Sequence, residues 1–213
     1  LEGPNPAGLR ASAPLSQPRM EYTLAIEGAP ETIPSGTGIL LVHPSTGETD
    51  RIDTDFLSTD TDRMLIISTR TTAREVEQKL EHYAVDESKA TILDTLSVER
   101  GYTRRQSDNV RYVSAPDNLD EIVEQTERFL AEHDGKLRVS IDSVTEMAYY
   151  ADEERAREAV KALLELLADH DAVGLFHLAE GVHDEAVVDG YRDLFDGVID
   201  LAEDGTVYAS FDD

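Results

Sequence analysis

The sequence predicts an α/β fold, a mostly parallel sheet with helices on both faces. Three observations carry this expectation. Strand-length apolar runs alternate with amphipathic helical stretches along the chain. Several runs, such as Gly38–His43 (GILLVH), lack polar alternation, as strands buried on both faces do. The helical stretches between them are long enough to return the chain for a parallel strand.

The elements follow in order. Tyr22–Glu27 alternates briefly, and Pro30, Pro34, Gly36 and Gly38 read as a loop. After the Gly38–His43 strand, residues 48–58 form a short helical segment, and Met64–Thr69 is a strand. Thr72–Tyr83 places Val76, Leu80 and Tyr83 at helical spacing. Ala90–Leu96 and Val110–Ser114 are strands around a polar loop, Gly101–Asn109. Asn118–His133 sets Ile122, Val123, Thr126, Phe129 and Leu130 on one helix face. Leu137–Val144 is a strand, and Asp152–His170 is a long helix with Val160, Leu163, Leu164 and Leu167 inward. A strand at Ala172–Leu178 and a helix at His183–Phe195 follow. The chain closes with a hairpin, Gly197–Ala202 and Thr206–Phe211, around Asp204-Gly205.

Charge is the dominant compositional feature. Asp and Glu total 45 against 19 Lys and Arg, a net charge of −26. Lys is confined to Lys79, Lys89, Lys136 and Lys161. Acidity with Arg preferred over Lys resembles proteins of salt-loving archaea. The charge argues against nucleic acid, whose affinity comes mainly from Lys and Arg at phosphates. No apolar run reaches membrane-spanning length. The first residues lack a secretory pattern, and there is no cysteine. No membrane insertion and a cytoplasmic location are therefore expected. Residues 1–19 hold four Pro and only one acid, Glu2, and read as a disordered tail or remnant. The domain is expected to run from Met20 to Asp213.

Ligands of such sheets sit beyond the carboxyl ends of the strands. The Gly38–His43 strand runs into Pro44-Ser45-Thr46-Gly47-Glu48-Thr49 and then a helix, the context of a phosphate-binding P-loop. Laid on G-x-x-x-x-G-K-[ST], Gly47 and Thr49 match. Val42 replaces the first Gly, and Glu48 replaces the Lys. Leu137–Ser143 is an apolar strand ending in Asp142, where P-loop proteins hold Mg²⁺ with help from the loop hydroxyl. Thr49 also reads as a helix N-terminal hydroxyl and Asp142 as a turn cap.

The runs RVSIDSVTEM (Arg138–Met147) and LFDGVIDLAEDG (Leu194–Gly205) resemble the Walker B strand and C-terminal hairpin of KaiC and its archaeal relatives. VRYVSAPDNLDEI (Val110–Ile122) is similar to a segment of haloarchaeal transducer-like proteins, a KaiC-like group assigned to signal transduction. The resemblance implies a RecA/KaiC-like three-layer sandwich with a C-terminal β-hairpin. It puts Pro44, Ser45, Thr46, Gly47, Thr49 and Asp142 at nucleotide-site positions, with Thr49 and Asp142 as Mg²⁺ ligands if nucleotide binds. Family ATPases carry Lys at the position of Glu48, and water-activating acids after the next strand, where this chain has Ser68-Thr69-Arg70-Thr71. The expectation is a pseudo-ATPase with a degenerate P-loop, no catalytic residue and no required cofactor, binding ATP and Mg²⁺ weakly at most. It would act in regulation or signalling through protein partners, itself or an active KaiC-like paralogue. An atypical Mg²⁺-dependent ATPase and a recombination-mediator paralogue are the alternatives.

Other residues read more simply. His43 is a strand-end polar residue at the mouth of this site. His177 and His183 flank a strand end without metal-ligand spacing, and His183-Asp184-Glu185 reads as a helix start. Arg104-Arg105 is a basic spot in the polar loop. Tyr149-Tyr150 follows the Asp142 strand, where RecA-type proteins build assembly surfaces.

Overall fold

The computed structural model describes residues 19–46, 48–102 and 107–212. The expected tail, Arg19 excepted, lies outside the described residues, as do Gly47 and Arg104-Arg105.

Ten strands and six α-helices are described. A small hairpin, β1 (Glu21–Thr23) and β2 (Thr32–Pro34), stands apart from the main sheet. β3 (Gly38–His43) leads to α1 (Asp50–Ser58), and β4 (Arg63–Ser68) leads to α2 (Ala73–His82). β5 (Ala90–Asp94), β6 (Val110–Tyr112), α3 (Leu119–Glu132), β7 (Leu137–Asp142), α4 (Val144–Tyr150) and α5 (Glu153–Asp169) follow. β8 (Val173–Ala179), α6 (Glu185–Arg192), β9 (Gly197–Leu201) and β10 (Val207–Phe211) complete the order. The eight-stranded sheet runs β10-β9-β3-β8-β7-β4-β5-β6. It is parallel throughout except for β10, which pairs antiparallel with β9. The expected three-layer sandwich and C-terminal hairpin are both present.

Strand alternation divides the core. Leu65 and Ile67, Val139 and Ile141, and Phe176 and Leu178 face α3, α4, α5 and α6. Met64, Ile66, Val173 and Leu175 face α1, α2 and the β1–β2 hairpin. On that second face β7 is polar at every inward position: Arg138, Ser140 and Asp142. Arg138 is fully buried and holds the hairpin down. Its Nη2 donates to the Thr23 carbonyl oxygen at 2.7 Å, and its guanidinium lies over the rings of Tyr22 and Phe56. Burial pushes its pKa down to about 10, although Asp60 and Tyr22 oppose the shift.

Two local readings need correction. The Pro30–Gly38 loop contains β2, whose Pro34 is tolerated because the strand is an edge. The strand expected to reach Val144 stops at Asp142, and Val144–Tyr150 is helical. Ser143 caps that helix by accepting from the Glu146 amide at 3.3 Å, and the Ser-x-x-Glu signature was legible.

Gly174 in β8 is required by packing. An added Cβ would stand 2.5 Å from Leu167 Cδ1 and 2.7 Å from Phe176 Cε2, both on buried side chains. Gly174→Ala is expected to cost about 1–3 kcal/mol, read as a lower urea midpoint with unchanged slope. Among the described residues, no helix is long and apolar enough to cross a membrane.

Candidate functional site

The loop after β3 turns at the carboxyl edge of the sheet as expected, and Thr49 occupies the N-cap of α1. Its hydroxyl donates to Asp53 Oδ2 at 3.3 Å, within the same helix. Pro44, Thr46 and Glu48 line a cleft of about 770 Å³ between this loop and the C-terminal hairpin. Glu27, Asp55, Glu203 and Asp204 add to its negative lining. Arg51 is the cation among the lining residues, and it already sits 3.8 Å from Asp55. Ser45 lies on the other side of the loop, near Gly181.

Asp142 ends β7, which does not neighbour β3, because β8 lies between them. On the other side β7 pairs with β4, in a register that sets Ser68 beside Asp142. The chain after β4 is stitched to this point. Thr69 Oγ1 donates to the Asp142 carbonyl oxygen at 2.8 Å and accepts from the Ser143 amide at 2.6 Å. Arg70 is thereby carried onto the Asp142 carboxylate. Its Nε lies 2.9 Å from Oδ1, and its Nη2 donates to Oδ2 at 3.2 Å. Nearby Glu146 is half-buried. Burial raises its pKa, with Asp142 adding to the effect and Arg70 and His183 opposing it.

The expected site residues thus stand on one edge of the sheet, and the two expected metal ligands are each already engaged by another side chain, Thr49 by Asp53 and Asp142 by Arg70. Among the described residues, no three His, Cys, Asp or Glu side chains cluster to hold a metal ion.

A buried charge network joins α1, α2 and β8, and sequence reading missed it. Asp53, 5% exposed, accepts from His177 Nε2 at 2.6 Å and from Lys79 Nζ at 3.0 Å. Lys79 also reaches Asp50 Oδ1 at 2.6 Å, and the Tyr83 hydroxyl donates to Asp50 Oδ2 at 2.9 Å. Burial alone would raise the Asp53 pKa, but His177 and Lys79 outweigh it and hold the carboxyl well below the usual range. Burial likewise opposes the charge on His177, and Asp53 more than compensates, so the imidazole is shifted upward. His43 packs edge-on to His177, with ring centroids 5.4 Å apart, and donates from Nδ1 to the Pro44 carbonyl oxygen. Burial shifts His43 downward, toward the neutral form. The signal for this network was phase. Asp53 shares the inward face of α1 with Phe56 and Leu57, and His177 interrupts an apolar strand. A polar residue in an inward phase requires a partner.

His183 has a structural setting. It contacts Glu153 Oε1 at 2.6 Å and Thr145 Oγ1 at 3.0 Å, and α6 starts just after it, with Asp184 at the N-cap position but without a side-chain capping hydrogen bond. Tyr149 is 80% exposed on α4.

The chain belongs to a family of unknown function, DUF7090, whose model matches residues 20–211. No curated protein matches the sequence. Among solved structures it is similar to a KaiC-like protein of the hyperthermophilic archaeon Pyrococcus horikoshii. The TM-score is 0.61 at 17% identity, over 91% of this chain and 87% of that one. It is also similar to a prototypical ATPase from the type III secretion system of pathogenic bacteria. There the TM-score is 0.59 at 15% identity, over 87% of this chain but only 57% of the ATPase. A third match is an uncharacterized Pyrococcus horikoshii protein in complex with an unknown peptide, with TM-score 0.60 and 15% identity over 83% of each chain. These likenesses show the fold, which is of the KaiC-like, RecA type.

Proposed function

We propose that this DUF7090 member is a non-catalytic KaiC-like domain, with a degenerate Walker A loop, that acts by binding in regulation or signalling. One observation carries the reading: the carboxylate of Asp142 is neutralised by Arg70 from the adjacent strand end. A Mg²⁺ ion at that carboxylate would have to displace a guanidinium held by the chain between Thr69 and Ser143. The segment that supplies water-activating acids in family ATPases supplies this blocking cation instead.

Electrostatics at the loop point the same way. Glu48 stands where a phosphate-binding Lys is expected, beside further carboxylates. One unit charge pair at 4 Å is worth about 4 kcal/mol at an effective dielectric of 20, so the sign reversal opposes a polyanion strongly. Residues 20–213 form the binding unit in this reading. Its partners are proteins, either further copies of itself or an active KaiC-like paralogue, and the haloarchaeal transducer-like resemblance points to a signalling pathway. The net charge of −26 disfavours nucleic acid.

The test compares wild type, Glu48→Lys and the double variant Glu48→Lys/Arg70→Ala in KCl at ~2–3 M, where charge is well screened. Calorimetry reads Mg-ATP binding, and phosphate release reads turnover. Glu48→Lys is expected to tighten binding at least tenfold, equivalent to about 1.4 kcal/mol. Arg70→Ala is expected to tighten it further by freeing Asp142. Turnover should stay undetectable in all three, since no base is introduced. Wild-type turnover that disappears in Asp142→Ala would refute the proposal in favour of an atypical ATPase.

A further inference from the structure

A second cavity, of about 210 Å³, opens between α1 and α2 above β4 and β7, away from the cleft that Glu48 lines. Its origin is local. Where Ile66 and Leu175 fill the same face, β4 and β7 present the short side chains of Ser68 and Ser140. The two helices bridge this gap rather than fill it.

The cavity has two kinds of wall. Leu57, Ile66, Val76, Leu80 and Val85 form an apolar side. The polar side carries four carboxylates, Asp50, Asp53, Glu75 and Asp142, against two cations, Arg70 and Lys79. Both cations are already committed to those carboxylates, Arg70 to Asp142 and Lys79 to Asp50 and Asp53. Ser140 is 4% exposed and lines the void, and its hydroxyl has no hydrogen-bond partner among the described residues. Ser68, in contrast, is satisfied by Thr71. The Ser140 hydroxyl therefore stands open at the cavity wall, where it can donate to or accept from a ligand group.

From this geometry we infer that the cavity binds a small organic monocation, a primary ammonium on a short apolar body. Size limits the body. An apolar cavity of about 150 Å³ accepts benzene, so this one suits roughly eight non-hydrogen atoms. Charge selects the head. Carboxylates outnumber cations in the lining, so an ammonium is attracted and a carboxylate repelled. An ammonium also has three donors, which match the free Ser140 hydroxyl and the spare lone pairs of the flanking carboxylates. Asp50 and Tyr83 stand at the solvent side, where both are partly exposed. The inference does not depend on whether the phosphate loop binds nucleotide.

Benzylamine, benzyl alcohol and benzoate separate the alternatives, because they share one ring and differ in charge. Titration calorimetry on the full chain in molar KCl is expected to show benzylamine at least fivefold tighter than benzyl alcohol, with benzoate weakest. Val76→Phe, which fills the void, should weaken benzylamine at least tenfold. If that variant fails to fold, Ser140→Ala serves instead, with an expected weakening of about threefold. Asp50→Asn should weaken benzylamine and leave benzyl alcohol unchanged. No binding by any of the three, equal affinity for all, or preference for benzoate would overturn the inference. So would benzylamine affinity that survives in a folded Val76→Phe protein.

Discussion

Replacing Asp53 by alanine is expected to destabilise the fold by about 3–5 kcal/mol, the usual loss when one member of a buried ion pair is removed. The carboxylate satisfies two cationic partners at once, His177 and Lys79, and it is almost wholly shielded from water. Its removal leaves His177 charged or stripped of its Nε2 partner, with Nδ1 already unpaired among the described residues. Urea denaturation in molar KCl reads the loss directly, since urea is uncharged. A change under about 1 kcal/mol would show that the network contributes little.

The same network sets a pH dependence. The Asp53 carboxyl is shifted downward in the fold, so its contribution is present above the unfolded value near 3.9 and lost in acid. His177 is shifted upward, so its contribution is full below the unfolded value near 6.5 and lost as pH rises through the raised one. The stability difference between wild type and Asp53→Asn should therefore be larger at pH 5 than at pH 9. His43 is shifted the opposite way, mainly by burial and in part by the neighbouring charge of His177.

Salt is expected to have the other large effect. The net charge of −26 leaves most carboxylates without a cation, and α3 alone exposes Asp120, Glu124 and Glu127 along its outer side. Like charges at i, i+4 oppose the helix that carries them. At 0.1 M salt the Debye length is about 10 Å and neighbouring carboxylates repel; at 1 M it is about 3 Å and they are screened. If screening returns only about 5 kcal/mol, the melting temperature rises by roughly 10–20 °C for a domain of this size. Circular dichroism across a KCl series measures the rise. An uncharged osmolyte at equal osmolality should not reproduce it, and a melting temperature flat in KCl would show that self-repulsion is unimportant.

Local pattern determined most of the architecture. Apolar runs without alternation marked the buried parallel strands, helical spacing marked the covering helices, and the Asp204-Gly205 turn marked the hairpin. The strand–loop–helix at Pro44–Thr49 and the strand-end position of Asp142 were legible for the same reason, because each depends on a few consecutive residues. Arg70 was legible only as the absence of an acid after β4. That it neutralises Asp142 depended on β4 lying beside β7 in a register that brings two strand ends together. Asp53 and His177 each betrayed themselves by polarity in an inward phase, yet their pairing with one another and with Lys79 followed from α1 and α2 covering the same face as β8. The cavity over Ser68 and Ser140 arose likewise, from two short side chains on adjacent strands under two helices. Periodicity reports which way a side chain faces, because that is set by its neighbours along the chain. Strand order and register decide what it meets there, and they are settled only when the whole core packs.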